Sequence, residues 1–175
     1  FDNSFWAFQS RGIYQFVPTG DPEIPFRRVQ RSSKLGLLRQ QTLVEAEDEF
    51  GRPALYFLDP EKGPYRYGLG GFQWIGKDVQ DIWRTMNLNA TVVTAWGVAY
   101  PKYNIIIWAL STGASNDSNL MIVFDMTEGR ATVIGANGDQ ADVRYGWAKW
   151  TGTFTSGQRT GVMFASTMGA TMSYE

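Results

Sequence analysis

The chain has 175 residues, 43% hydrophobic and 19% charged, with a net charge of −1, seven Trp, and neither Cys nor His. That length can bury one ordinary core, and the composition is globular rather than disordered. Without Cys or His, disulfides, thiolate nucleophiles, Ser-His-Asp triads and His/Cys zinc sites are excluded, and the near-neutral charge provides no global field for nucleic acid.

Short apolar segments recur at Phe5–Phe8, Leu55–Leu58, Ile105–Trp108 and Val162–Ala165, in steps of 50, 50 and 57 residues. A period of this size marks β-propeller blades or another repeated small-sheet unit. In chain order, the first unit reads as a strand at Phe5–Phe8, a turn, and a strand at Ile13–Val17, followed by a Pro/Gly-rich loop from Pro18 to Pro25. Arg27, Arg28, Arg31, Lys34 and Arg39 then form a basic loop with few apolar residues. It is a candidate surface for a partner or for DNA, set against the ordinary reading of solvated charge. After strand-like Thr42-Leu43-Val44, an acidic cluster answers it at Glu45, Glu47, Asp48 and Glu49.

The second unit has a strand at Ala54–Leu58, turn chemistry at Asp59-Pro60-Glu61-Lys62-Gly63, a returning strand at Tyr65–Tyr67, and a short strand at Phe72–Ile75. Asp78 is placed to cap a helix with Asp81 at its third position. Val79, Ile82, Trp83 and Met86 then make one apolar helical face, which Asn87 closes. In the third unit, Val92–Ala99 reads as a strand and Tyr100–Asn104 as a turn. Ile105–Leu110 is apolar throughout and therefore expected to be covered on both faces. Strands follow at Leu120–Phe124 and Ala131–Ile134 across the turn Asp125–Arg130. Gly146–Trp150, a Thr/Ser/Gly loop and Val162–Ala165 begin a further unit. Phe1 is not an initiator and the last unit stops early, so the chain is expected to be a fragment of a larger propeller.

Chemical motifs are weak. Gly71–Asp78 approaches a phosphate loop, but its interior is Phe, Trp and Ile, and Asp78 stands where a magnesium-binding hydroxyl belongs. Asp59, Asp78, Asp81, Asp125 and Glu128 are the carboxylates available for glycoside hydrolysis, which needs a pair across a cleft. Turn and helix-start positions explain them more simply. Asn116–Asn119 and Asn137–Asp142 offer oxygen ligands without the spacing of a calcium loop. Asn89 and Asn116 stand in glycosylation acceptor patterns. Trp74, Trp83, Trp96, Trp108, Trp147 and Trp150 suit packing between sheets, or a sugar-stacking platform.

Tyr56–Asp59, Gly63–Tyr67 and Gln73–Trp83 together, with Val123–Asp125 and Glu128–Arg130, resemble the blade unit of β-propeller virion proteins of tailed bacteriophages, such as tail hub or nozzle components. The likeness covers roughly residues 50 to 150. It departs at Ala131-Thr132-Val133, where the pattern carries Trp. The resemblance implies a non-enzymatic virion protein, assembled in the host cytoplasm, that forms an oligomeric ring or conduit in the tail or head-to-tail connector. Its partners would be further copies of itself, other virion proteins and DNA held non-specifically.

The expectation is therefore a single all-β, propeller-like domain over residues 1–175. It is built from four-stranded antiparallel blades of about 50 residues with one short helix. Neither cofactor, metal nor membrane partner is expected. The alternative function is a glycan-binding or glycan-cleaving propeller that uses exposed Trp and Asp/Glu pairs.

Overall fold

The computed structural model describes residues 4–114, 118–135, 144–154, 157–166 and 171–174. About 50% of the chain is strand. Among the described residues the strands form four successive antiparallel sheets in which neighbours in sequence are neighbours in space, and none closes into a barrel. The first sheet holds β1 (Phe5–Gln9), β2 (Gly12–Pro18) and β3 (Phe26–Ser32). The second holds β4 (Val44–Glu47), β5 (Pro53–Asp59), β6 (Gly63–Gly68) and β7 (Gly71–Trp74). The third holds β8 (Trp96–Tyr100), β9 (Ile105–Leu110), β10 (Leu120–Asp125) and β11 (Arg130–Gly135). The fourth holds β12 (Arg144–Phe154), β13 (Gly157–Ser166) and β14 (Thr171–Tyr174).

The second sheet is the middle layer of the described core. Successive side chains of a strand point to opposite faces, and β5 uses both. Ala54, Tyr56 and Leu58 join Ile106, Trp108, Leu110, Ile122 and Phe124 of the third sheet in one core. Phe57 instead joins Ile13, Trp6 and Phe8 of the first sheet. The Tyr56 and Phe124 rings lie 6.0 Å apart on one side, and those of Phe8 and Phe57 5.5 Å apart on the other. Each such buried side chain contributes about 1.5–3 kcal/mol, so covering both faces of one strand is worth more than any turn or ion pair around it. The all-apolar β9 behaves likewise. Ile106, Trp108 and Leu110 face the second sheet, while Ala109, with the half-buried Ile105 and Ile107, joins Val98 and Tyr100 in a separate cluster.

Three aspartates set the hairpins. Asp48 accepts from the Phe50 and Arg52 amides, Asp59 from Glu61 and Lys62, and Asp125 from Thr127 and Glu128. In each turn a later glycine (Gly51, Gly63, Gly129) takes positive φ, the conformation such turns require. The connectors between sheets are strapped in a common way. Leu38 donates its amide to the Leu58 carbonyl at the end of β5, and Asn87 to the Ser111 carbonyl beyond β9, at 2.8 and 2.9 Å.

Several expected boundaries are corrected. The basic segment is not a loop, because Arg27, Arg28 and Arg31 lie on the edge strand β3. Thr42 closes a 3-10 turn at Gln40–Thr42, so the strand there begins at Val44. Asp78 does not cap the helix; its carboxylate accepts the Ala131 amide of edge strand β11 at 3.2 Å. The helix is a 3-10 turn (Lys77–Val79) running into a four-residue α1 (Gln80–Trp83), although its apolar face is buried as expected at Val79, Trp83 and Met86.

Asn87 does not close α1 but caps a second helix, α2 (Leu88–Thr94), by accepting from the Ala90 amide. The expected strand from Val92 therefore begins only at Trp96. β-Branched residues are poor helix formers. Here Thr91 and Thr94 are held by Ser111, through its backbone and its hydroxyl respectively, and these tertiary bonds outweigh propensity. The Thr/Ser/Gly stretch near residue 151 is not a loop, since β12 and β13 run through it to Phe154 and from Gly157. Among the described residues, two of the four sheets have three strands rather than four.

Candidate functional site

The five cations singled out in sequence do not converge. On β3, residues opposite Tyr14 and Phe16 share one face, and Arg28 lies there with its guanidinium 5.3 Å from the Tyr14 ring. Arg31 sits at an irregularity of register between Ile13 and Tyr14, where a bulge re-aims a side chain. Its Nε donates to Gln15 Oε1 at 2.7 Å, and Gln15, almost fully buried, donates onward to Ser4 Oγ at 2.8 Å. Arg31 is thus built into the first sheet.

Arg27 and Lys34 are exposed. Ser32 Oγ accepts from the Lys34 and Leu35 amides and turns the chain away from β3. Arg39 lies apart from the others. Its guanidinium stands 5.3 Å from the ring of Trp96 on β8, its Nε donates to Gln41, and burial holds its pKa below the ordinary arginine value. Among the described residues none of the five forms an ion pair. Exposed cations on an edge strand deter unwanted strand pairing, and Arg27, Arg28 and Lys34 are the ones left open to a partner.

The acidic cluster divides in the same way. Burial alone would raise the Asp48 carboxyl, but hydrogen bonds from the Arg52 side chain and amide and the Phe50 amide together hold it below the usual range. The Arg52–Asp48 ion pair measures 2.8 Å. Glu49 pairs with Arg66, and this hydrogen bond outweighs burial to hold its carboxyl low; Arg66 also donates to Gln73. Glu45 and Glu47 remain exposed. With Val44 and Ala46 they form one wall of a cleft of 780 Å³ between β4 and β8, whose other wall is Gly97, Val98 and Ala99. No group of three or more acidic side chains is placed to hold a metal ion among the described residues.

The other candidates resolve individually. Asp59 and Asp125 are the turn acceptors described above, and the second oxygen of Asp59 also accepts the Gly36 amide at 2.9 Å. Asp81 approaches Arg84 at 3.7 Å with both side chains in solvent, and Glu128 is an exposed turn residue. Trp108 donates its indole N–H to the Thr42 carbonyl at 2.9 Å, and Trp83 packs against Gly63. Trp74 stays 39% exposed, with its N–H on the Lys62 carbonyl, at the rim of a 320 Å³ hollow with Tyr65, Trp83, Glu61 and Arg84. Trp6, read in sequence only as part of the recurring apolar segment Phe5–Phe8, brings its ring to within 4.7 Å of that of Tyr67 across the first two sheets. Asn116 and Asn137–Asp142 lie outside the described residues, as do the side chains of Trp147 and Trp150.

The described surface therefore offers open cations on one edge strand, an acid-walled cleft between two first strands and a small aromatic hollow. Comparison with known proteins gives no matching family model and no matching curated sequence.

Proposed function

We propose that this chain is a non-catalytic, architectural virion protein of the tailed-phage type, a propeller-like stack of blades that joins copies of itself and other virion proteins into a ring or conduit in the tail or head-to-tail connector. The observation that carries the architectural reading is the layering. Consecutive meander sheets pack face to face, the middle one buried on both faces, with the first strands β4 and β8 side by side. Radial repetition of blades produces this arrangement, leaving only short, protected edges.

The virion assignment is supported by the resemblance of residues 50 to 150 to phage blade units. The carboxylates and tryptophans offered to catalysis are mostly occupied in turns and packing, which favours scaffold over chemistry. Arg27, Arg28 and Lys34 are the cations available for non-specific DNA contact. The test is mass photometry with analytical sizing of the purified chain at micromolar concentration. A discrete ring-like oligomer is expected, and a strictly monomeric species across the range would overturn the assembly reading.

A further inference from the structure

We propose that the hollow between Trp74 and α1 is a saccharide-binding subsite: it takes one ring of a neutral glycan, stacked on the Trp74 indole and hydrogen-bonded by the polar side chains around it. The inference does not rest on the virion reading. Trp74 ends β7 and Trp83 ends α1, and both are fixed to the turn that joins β5 to β6. Trp74 donates its N–H to the Lys62 carbonyl at 2.9 Å, and Trp83 lies against Gly63, where a β-carbon would come within 3.0 Å of its ring. The turn itself is held by Asp59, which accepts the Glu61 and Lys62 amides at 2.9 and 2.8 Å. Gly76 leaves room for the indole, since a β-carbon there would stand 2.7 Å from Trp74 Nε1. The platform is thus ordered before a ligand arrives, which lowers the entropic cost of binding.

The hollow measures 320 Å³, at the small end of ligand sites, about 300–1,000 Å³. Trp83 and Tyr65 are buried and make its floor, whereas Trp74 is open at the rim. The face of an indole is electron-rich, and the polarised C–H groups on one side of a pyranose are complementary to it. Around the rings stand Glu61, Lys62, Gln80 and Arg84, all exposed. Glu61 accepts, Lys62 and Arg84 donate, and the Gln80 amide does both. Hydroxyl groups, which also do both, can use all four. An anionic ligand would meet Glu61, and a quaternary ammonium would meet Lys62 and Arg84.

Glu61 reaches Arg11 at 3.4 Å, and Arg84 reaches Asp81 at 3.7 Å, in solvent-exposed pairs. Such pairs are weak, so both side chains can turn to a ligand. Glycoside hydrolysis takes two carboxylates, and Glu61 is the one carboxylate among the described lining residues. The subsite therefore binds without cleaving. The larger cleft between β4 and β8 has no aromatic side chain among its described lining residues.

The test applies the full 175-residue chain to an array of neutral and acidic oligosaccharides and titrates the strongest neutral one by calorimetry. Retention of a neutral oligosaccharide is expected, with an affinity unchanged from about 0.05 to about 0.5 M NaCl. Trp74→Ala should weaken it at least about tenfold, and Gln80→Ala, at an exposed position, about threefold. Leu69→Ala, an exposed residue at the opposite end of the second sheet, should leave it unchanged. Melting curves check that Trp74→Ala still folds; if it does not, Gln80→Ala and Arg84→Ala decide. An array that retains no neutral oligosaccharide, or binding undiminished in these variants, would overturn the proposal. Retention of single-stranded oligothymidylate in place of any sugar, lost in the Trp74 or Gln80 variant, would assign the hollow to a nucleobase and overturn the saccharide assignment.

Discussion

Gly63 sits at φ +82°, and a β-carbon added there would lie 3.0 Å from the Trp83 ring. Gly71 has nearly the same backbone, φ +83°, but nothing within 4 Å. Replacing either by Ala incurs the left-handed penalty of about 1–2 kcal/mol. Only at Gly63 must the indole and the helix segment behind it also move. Gly63→Ala is therefore expected to lower stability by about 1 kcal/mol or more beyond Gly71→Ala in parallel thermal melts; equal losses would remove Trp83 from the explanation. Asp48 gives a pH dependence. Its carboxyl is held below its ordinary value in the folded chain, so its contribution is present above the unfolded value, about 4, and is lost as pH falls through the lower folded value. Asp48→Asn should cost about 1–2 kcal/mol at neutral pH. The gap between the two proteins should narrow steadily in denaturant titrations below pH of about 4; a gap that stays constant would assign the loss to geometry rather than charge. The turns at Asp59 and Asp125 are legible in sequence because Asp before Gly at a strand end is a local signal, whereas Asp48 reads there only as one of an acidic cluster. The true partner of Asp78 is not legible, since Ala131 is brought to it only by packing.

At the scale of elements, strands with a clear apolar run are readable nearly to the residue, as in β5 and β9. The failures lie where tertiary bonds compete with propensity. Leu88–Thr94 is rich in β-branched residues and reads as strand, yet Asn87 caps it and Ser111 holds both of its buried-side threonines. The basic segment reads as loop because its apolar content is low. Pairing with β2 extends it all the same, and an edge strand exposed along most of its length has little need of apolar residues. The third sheet is tied to the turn before β4 by one bond, from Trp108 to the Thr42 carbonyl. Trp108→Phe keeps an aromatic ring but leaves that buried carbonyl unpaired and a small void. We expect a loss of about 2–3 kcal/mol, with strand content retained in circular dichroism; a loss below about 0.5 kcal/mol would show that the bond is dispensable.

For the whole molecule, the fifty-residue period is plain in the amino-acid order, and it does correspond to successive meander sheets. What the period does not reveal is the phase. In the second, third and fourth sheets the conspicuous apolar segment is the second strand, whereas in the first sheet it is the first of the described strands, β1. The candidate surface is the least legible part. Sequence adjacency groups five cations that the fold separates, since Arg31 is tied to Gln15 and Arg39 lies apart beside Trp96. The two-faced burial of β5 also bears on how such a chain can change over generations. Removing one residue within Ala54–Leu58 would exchange the inward and outward sets, sending side chains shaped for one neighbouring layer into the other and spoiling two interfaces at once. The same deletion between Gly20 and Ile24 would only shorten a solvent-facing loop. Length variation among descendants of this chain is therefore expected in the loops between strands, as at residues 20–24 between β2 and β3, rather than within a strand buried on both faces.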